Sequence, residues 1–123
     1  MNVCEYIVSY LNKFGVKYIF GVGEANIEDI CDAVYHLNAD LKAMLAKHEF
    51  SAACMADDYS QMQGDLGVVM AISGEGCLNL IPGLAESYTS KRPVLAIVGM
   101  PPTALKGRMR AALKGGGWVA KPY

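Results

Sequence analysis

Leu66-Gly67-Val68-Val69-Met70-Ala71-Ile72-Ser73-Gly74-Glu75-Gly76 is the stretch that decides the architecture. Leu66 to Ile72 is apolar throughout, with no polar alternation, and stops at a run of small turn residues. A short run of that kind reads as a strand buried on both faces, which only a sheet covered by helices on both sides provides. Ser73-Gly74-Glu75-Gly76 then reads as a tight loop. Upstream, Phe50, Ala53, Cys54 and Tyr59 fall at helical spacing in a segment from Glu49 to about Gln63, stopped near Gly64. Downstream, Leu78 to Tyr88 predicts another helix, with Pro82 expected in its first turn, where a missing N–H costs little. Pro93 opens the next strand, Val94 to Val98, and Gly99 closes it.

The same alternation continues toward the N-terminus. Leu41 to Leu45 reads as a strand, and Ile27, Ile30, Cys31, Val34 and Leu37 mark a helix with Asn26 as its expected N-cap. Lys17 to Phe20 is a β-prone run broken by Gly21-Val22-Gly23. Val3, Ile7, Tyr10, Leu11 and Phe14 predict the first helix, with Gly15 suited to a left-handed C-cap. Helices alternating with short buried strands imply right-handed crossovers and a three-layer α/β/α parallel sheet. Ligands of such sheets sit beyond the carboxyl ends of the strands. The candidate site therefore lies in Gly21–Glu24, Ala46–Glu49, Ser73–Asn79 and Gly99–Thr103.

The chain has 123 residues, 53% of them hydrophobic, and a formal net charge of -1. That length suits one domain with one sizeable core. We divide it into a domain over residues 1–104 and an irregular or partly disordered tail over 105–123, rich in glycine and basic residues. The balanced charge gives no electrostatic footprint for nucleic acid. No segment reads as a signal peptide or is long enough to cross a bilayer, so a cytoplasmic protein is expected. Cys4, Cys31, Cys54 and Cys77 lie far apart and the histidines are only His36 and His48, which does not make a zinc site. Lys91 and Arg92 read as surface charges, and His36 as a solvated helix residue.

Two motifs compete for the chemistry. Gly21-x-Gly23 between a strand and a helix invites a dinucleotide reading, but Asn26 stands where a third glycine is wanted. The required acidic residue is not at the required spacing either. The stronger constellation begins at Glu49, on a strand-to-helix junction bracketed by Met44, Leu45, Ala46, Phe50, Ala52 and Ala53. Apolar surroundings there would favour the proton-bearing form of a carboxylate. The plainer alternative is an exposed first-turn glutamate stabilised by the helix dipole. Asn79 is likewise open to two readings: a ligand contact beside Gly74 and Gly76, or a local helix cap.

His48-Glu49-x-x-Ala52-x-x-Met55-Ala56-Asp57-x-Tyr59, followed by Ser73-Gly74-x-Gly76-x-x-Asn79, resembles the pyrimidine-binding domain of thiamine-diphosphate (ThDP) enzymes. The resemblance is to the acetolactate synthase and 2-oxo-acid decarboxylase type. It begins with Gly15-Val16 and Phe20-Gly21-Val22, and ends with Gly83-Leu84-Ala85, Pro93-Val94 and Val98-Gly99. It implies a glutamate, Glu49, that exchanges a proton with N1′ of the cofactor's aminopyrimidine. It also implies cofactor contacts from Glu49, Gly23, Ser73, Gly74 and Asn79. His48 reads as a positioning or packing residue rather than a proton carrier.

The departures from the family pattern are informative. Gly23-Glu24 replaces the usual Pro-Gly, which puts Glu24 in a strained place if its φ is positive. Ala25 stands where the pyruvate decarboxylase branch has an aspartate, and no His-His pair follows the last strand. An acetolactate synthase-like carboligase is thereby favoured over simple decarboxylation. The diphosphate-binding domain, which holds Mg²⁺ in such enzymes, is absent, and the pyrimidine domain reads as truncated at its C-terminus. The expectation is a half-site, inactive by itself, that needs a diphosphate-binding domain or partner subunit and forms homo-oligomers. The alternatives are a non-catalytic assembly module with the same fold and a Rossmann-like nucleotide binder.

Overall fold

In a computed structural model, residues 1–23, 27–37 and 40–101 are described. Helices and strands alternate as α1 (Val3–Lys13), β1 (Tyr18–Gly21), α2 (Glu28–His36), β2 (Lys42–Leu45), α3 (Glu49–Gln63), β3 (Gly67–Ala71), α4 (Glu75–Thr89) and β4 (Val94–Val98). The four strands form one sheet in the order β2-β1-β3-β4, and every pairing is parallel.

Alternation along β3 sorts the core into two halves. Val68 and Met70 point to one face, where they meet Val8 and Leu11 of α1, Ile30 and Ala33 of α2, Ile19 and Leu41. Val69 and Ala71 point to the other, against Ala52, Ala53 and Ala56 of α3 and Leu80 of α4, with Phe20. All five β3 residues are buried, because this strand has a helical layer on each side.

Helix ends follow local chemistry. Asn2 caps α1 in a reciprocal capping box with Glu5. Gly64, at φ 72°, ends α3 in the left-handed conformation that a side chain would resist. Val3, Tyr10 and Phe14, read as part of the inward stripe of α1, are exposed; Val8 and Leu11 are its buried residues. The cap position of α2 is Ile27, without a side-chain cap bond, rather than Asn26, which lies outside the described residues. The strain expected at Glu24 and the tail over 105–123 lie outside them too.

Two corrections concern α4. It begins at Glu75, so Glu75 and Gly76 belong to the helix and the turn shrinks to Ser73-Gly74. Pro82 consequently lies in the helix interior, not its first turn. Its ring removes one backbone bond there, and the residue is on the exposed side of the helix, where water can serve the freed carbonyl. A third correction concerns Arg92. It is not a free surface charge: its Nη1 donates to Asp57 Oδ2 at 2.8 Å and to Gln61 Oε1 at 2.6 Å. That pair ties the start of β4 to α3, and the Asp57 side chain is only 7% exposed.

Candidate functional site

Parallel pairing brings the carboxyl ends of all four strands to one edge. The connection after β1 runs through α2 on one face toward β2; the connection after β3 runs through α4 on the other face toward β4. The two loops diverge between β1 and β3, which opens a crevice at that boundary. The α3 helix starts at the same edge and packs on β1 and β3. Its first residue is Glu49.

His48 sets the entry to α3. Its backbone is extended, at φ −153° and ψ 143°, and its Nδ1 accepts the Phe50 N–H at 3.1 Å. The imidazole thus caps the helix, the positioning role expected of it. Glu49 follows at the first helical position and is 7% exposed. The exposed first-turn arrangement is therefore excluded.

The burial of Glu49 has a different cause from the one its flanking residues suggest. Met44, Leu45 and Phe50 are themselves exposed. What covers the carboxylate is the first part of α4. Asn79 Nδ2 donates to Glu49 Oε2 at 3.1 Å. A Cβ on Gly76 would lie 3.3 Å from Glu49 Oε1 and 2.5 Å from Ile72 Cγ2. Gly76 is therefore needed for packing against Glu49 and Ile72. Asn79 is no cap either: the cap position is Gly74, and Asn79 lies a full turn further in.

Ser73 is half-buried and leads into Gly74, whose φ is 80°. A Cβ at Gly74 would meet nothing within 4 Å, so the backbone faces open space there. Gly23 is exposed, and its nearest neighbour is the Leu45 side chain, 3.5 Å from where a Cβ would stand. The structure thus brings Glu49, Gly76 and Asn79 together, with Ser73-Gly74 at their side, and leaves Gly23 beside Leu45.

Gly76, Asn79 and Gly83 lie at i, i+3 and i+7 on α4, one stripe facing α3. A Cβ on Gly83 would stand 2.5 Å from Ala53 Cβ, so the two helices approach closely along that stripe. The spacing was visible in the sequence, but a helix started at Leu78 hid it. Around the site, Leu45, Phe50, Leu78 and Met100 are exposed apolar residues at the same end of the sheet. Among the described residues, no cluster of His, Cys, Asp and Glu could hold a metal ion. Among them too, no helix is long and apolar enough to cross a membrane.

A doubly covered parallel sheet with a buried carboxylate over its switch point defines a class of α/β domain that binds a ligand at its strand ends. Residues 1–116 match the family model of the thiamine pyrophosphate enzyme, N-terminal TPP binding domain, and the chain belongs to that family. It is 38% identical over 107 residues to a probable acetolactate synthase large subunit of Methanocaldococcus jannaschii, covering 87% of this chain. It is 38% identical over 103 residues to an acetolactate synthase of Arthrospira platensis, covering 82% of the chain. Identity to the acetolactate synthase large subunit of Haemophilus influenzae is 36% over 107 residues, 87% of the chain. The matched region spans 18% of the length of each of these curated relatives.

Proposed function

We propose that this chain forms the pyrimidine-binding half of a thiamine-diphosphate site acting on 2-oxo acids, in the manner of acetolactate synthase, with Glu49 as its catalytic carboxylate. One observation carries the reading: Glu49 is buried at the β1/β3 crevice and fixed by Asn79 of α4. A held carboxyl group whose other oxygen has no hydrogen bond among the described residues suits a flat ring bearing a basic nitrogen. The open space over Gly74 leaves room for such a ring to approach the backbone. When bound, the cofactor supplies the electron sink for decarboxylation and carboligation. The chain's own part is narrower. Glu49 gives a proton to N1′ of the aminopyrimidine and takes it back, while Ser73, Gly74 and Asn79 line that end. Gly23, beside Leu45, contributes at most the outer rim.

In this reading the diphosphate and its Mg²⁺ belong to a second domain, in a longer chain or a partner subunit, and the chain by itself is inactive in the cytoplasm. Exposed Leu45, Phe50, Leu78 and Met100 give that domain an apolar surface to cover. The test is hydrogen exchange at C2 of thiamine diphosphate, followed by proton NMR in D2O with the chain joined to a diphosphate-binding domain. Glu49→Gln is expected to slow exchange by about 10²–10⁴-fold, the usual contribution of a positioned acid–base group. Exchange that continues at the wild-type rate refutes the assignment.

A second reading, a self-associating module without chemistry, is favoured by the sheet edges. Met44 and Leu45 on β2 and Leu95 on β4 are exposed apolar residues on the two outer strands of the sheet among the described residues. Size-exclusion chromatography of the chain, alone and with thiamine diphosphate, separates the two: a stable dimer that gains nothing from any diphosphate-binding domain supports the second.

A further inference from the structure

Asn79 occupies an unusual place. It lies inside α4, where asparagine is a poor helix former, and its side chain reaches across to a different helix. Its partner is the one buried glutamate among the described residues. An arginine or lysine in the same position would hold Glu49 as an anion, because an opposite charge favours the ionised form. An amide N–H is a donor without charge, so it serves the oxygen of a carboxylate and the carbonyl oxygen of a carboxylic acid alike.

From this we propose that Asn79 is a positioning residue that keeps Glu49 aimed in both of its protonation states. The inference rests on the reading of Glu49 as a proton-exchanging group. When Glu49 is a carboxylate, the Asn79 Nδ2–H donates to Oε2, as the 3.1 Å contact shows. When Glu49 carries its proton on Oε1, Oε2 is the carbonyl oxygen of the acid and still accepts from the same Nδ2–H. The proton that leaves Glu49 goes to the pyrimidine nitrogen and returns by the same route; no other group is consumed. Gly76 completes the arrangement. With a hydrogen in place of a Cβ, it lets Oε1 lie against α4, and the side chain has little room to swing away. A glutamate that gives and regains a proton at Oε1 stays aimed if Oε2 is held by a neutral donor, since that bond survives in both states, whereas a cationic donor would favour the anion.

Other ionisable groups at this end of the sheet are Glu28 and Asp29 in the first turn of α2 on the opposite face, Lys47 and His48 on the approach to α3, and Glu75 and Cys77 in the first turn of α4. The described carboxyl ends of β1, β3 and β4 bring none. Glu24, after β1, lies outside the described residues. The test must therefore isolate Glu49 from these neighbours.

In the ¹⁵N-labelled chain, the side-chain amide resonances of Asn79 are followed from about pH 4 to about pH 8, a range that covers carboxyl and imidazole titration. They are expected to move with pH, and to lose the carboxyl part of that movement in Glu49→Gln. A second arm measures Tm. Asn79→Asp sets two carboxylates face to face and is expected to lower Tm by roughly 5–10 °C. The exchanged pair Glu49→Gln with Asn79→Asp restores a donor and an acceptor, and is expected to regain most of that loss. Amide resonances with the same pH profile in wild type and Glu49→Gln, or no recovery in the exchanged pair, overturn the proposal. C2 exchange in the joined protein separates this from the cofactor reading. If Asn79→Leu leaves wild-type exchange intact while Glu49→Gln abolishes it, the positioning role is wrong and the cofactor reading stands. If the amide titration behaves as expected but Glu49→Gln leaves C2 exchange untouched, the pairing stands and the cofactor reading falls.

Discussion

Replacing Arg92 with methionine removes a charge while keeping much of the side chain's length, and its cost follows from what is left behind. Asp57 Oδ2 loses a 2.8 Å bond to the guanidinium, and Gln61 loses its own contact with the same nitrogen. Asp57 Oδ1 is already buried without a partner among the described residues, so within them the carboxylate is left with neither oxygen served by a side chain. Breaking one side of a buried ion pair costs about 3–5 kcal/mol. The Arg92 side chain is 23% exposed, so water can enter where its head was, and the lower end applies, about 3 kcal/mol. At about 4 °C per kcal/mol for a domain of 123 residues, Tm should fall by roughly 12 °C. Thermal and urea unfolding followed by far-ultraviolet circular dichroism at neutral pH give the number. The double variant Asp57→Leu with Arg92→Met removes both charges, and is expected within about 1 kcal/mol of wild type. If Arg92→Met alone costs less than about 1 kcal/mol, the pair behaves as an exposed salt bridge and the reasoning fails.

Gly83→Val drives a branched side chain into Ala53, whose Cβ would already lie 2.5 Å from a Cβ at that position. The overpacking should lower stability by about 2–3 kcal/mol, more than the few tenths valine gains over glycine in a helix, and a urea midpoint at or above wild type would contradict the close α3–α4 contact. Cys4, Cys31 and Cys54 are all pushed above the ordinary thiol value of 9.0, first by burial and then by nearby carboxylates such as Asp29, Asp32 and Asp58. Tyr59 is raised in the same way, by burial and then by Asp65 and Tyr18. The folded chain keeps these protons at a pH where the unfolded chain has lost them. Their contribution is therefore full below the ordinary values and is lost as pH rises through the folded ones. Urea midpoints should decline on the alkaline side, and replacing the three cysteines with serine should make that decline shallower.

Some features were legible because they rest on local chemistry. The unbroken apolar run from Leu66 to Ile72 required cover on both faces, and β3 is buried throughout. Gly64 stopped α3 where a left-handed residue was needed. The order of helices and strands implied a parallel sheet, and a parallel sheet puts its loops of interest at one edge. Glu49 could be singled out from its place at a strand-to-helix junction and from the motifs around it.

Other features depended on residues far apart in the chain. Glu49 and Asn79 are separated by 30 positions, and Asp57 and Arg92 by 35. Neither pairing has a local signature, because a side chain's partner is set by how two helices cross the sheet. Met44, Leu45 and Phe50, the large apolar neighbours of Glu49 in sequence, face solvent, while α4 supplies its cover. The start of α4 was misplaced because Ser73-Gly74-Glu75-Gly76 has the composition of a loop. Gly76 serves instead as the thin point where a helix passes over a carboxylate. Sequence alone determined the order of elements, the parallel sheet and the loops that carry the chemistry, since these follow from periodicity and turn residues. Only the tertiary structure decided that Glu49 is dry and held by Asn79, and that Arg92 is paired, because burial and hydrogen bonding belong to surfaces that meet only once the helices are docked.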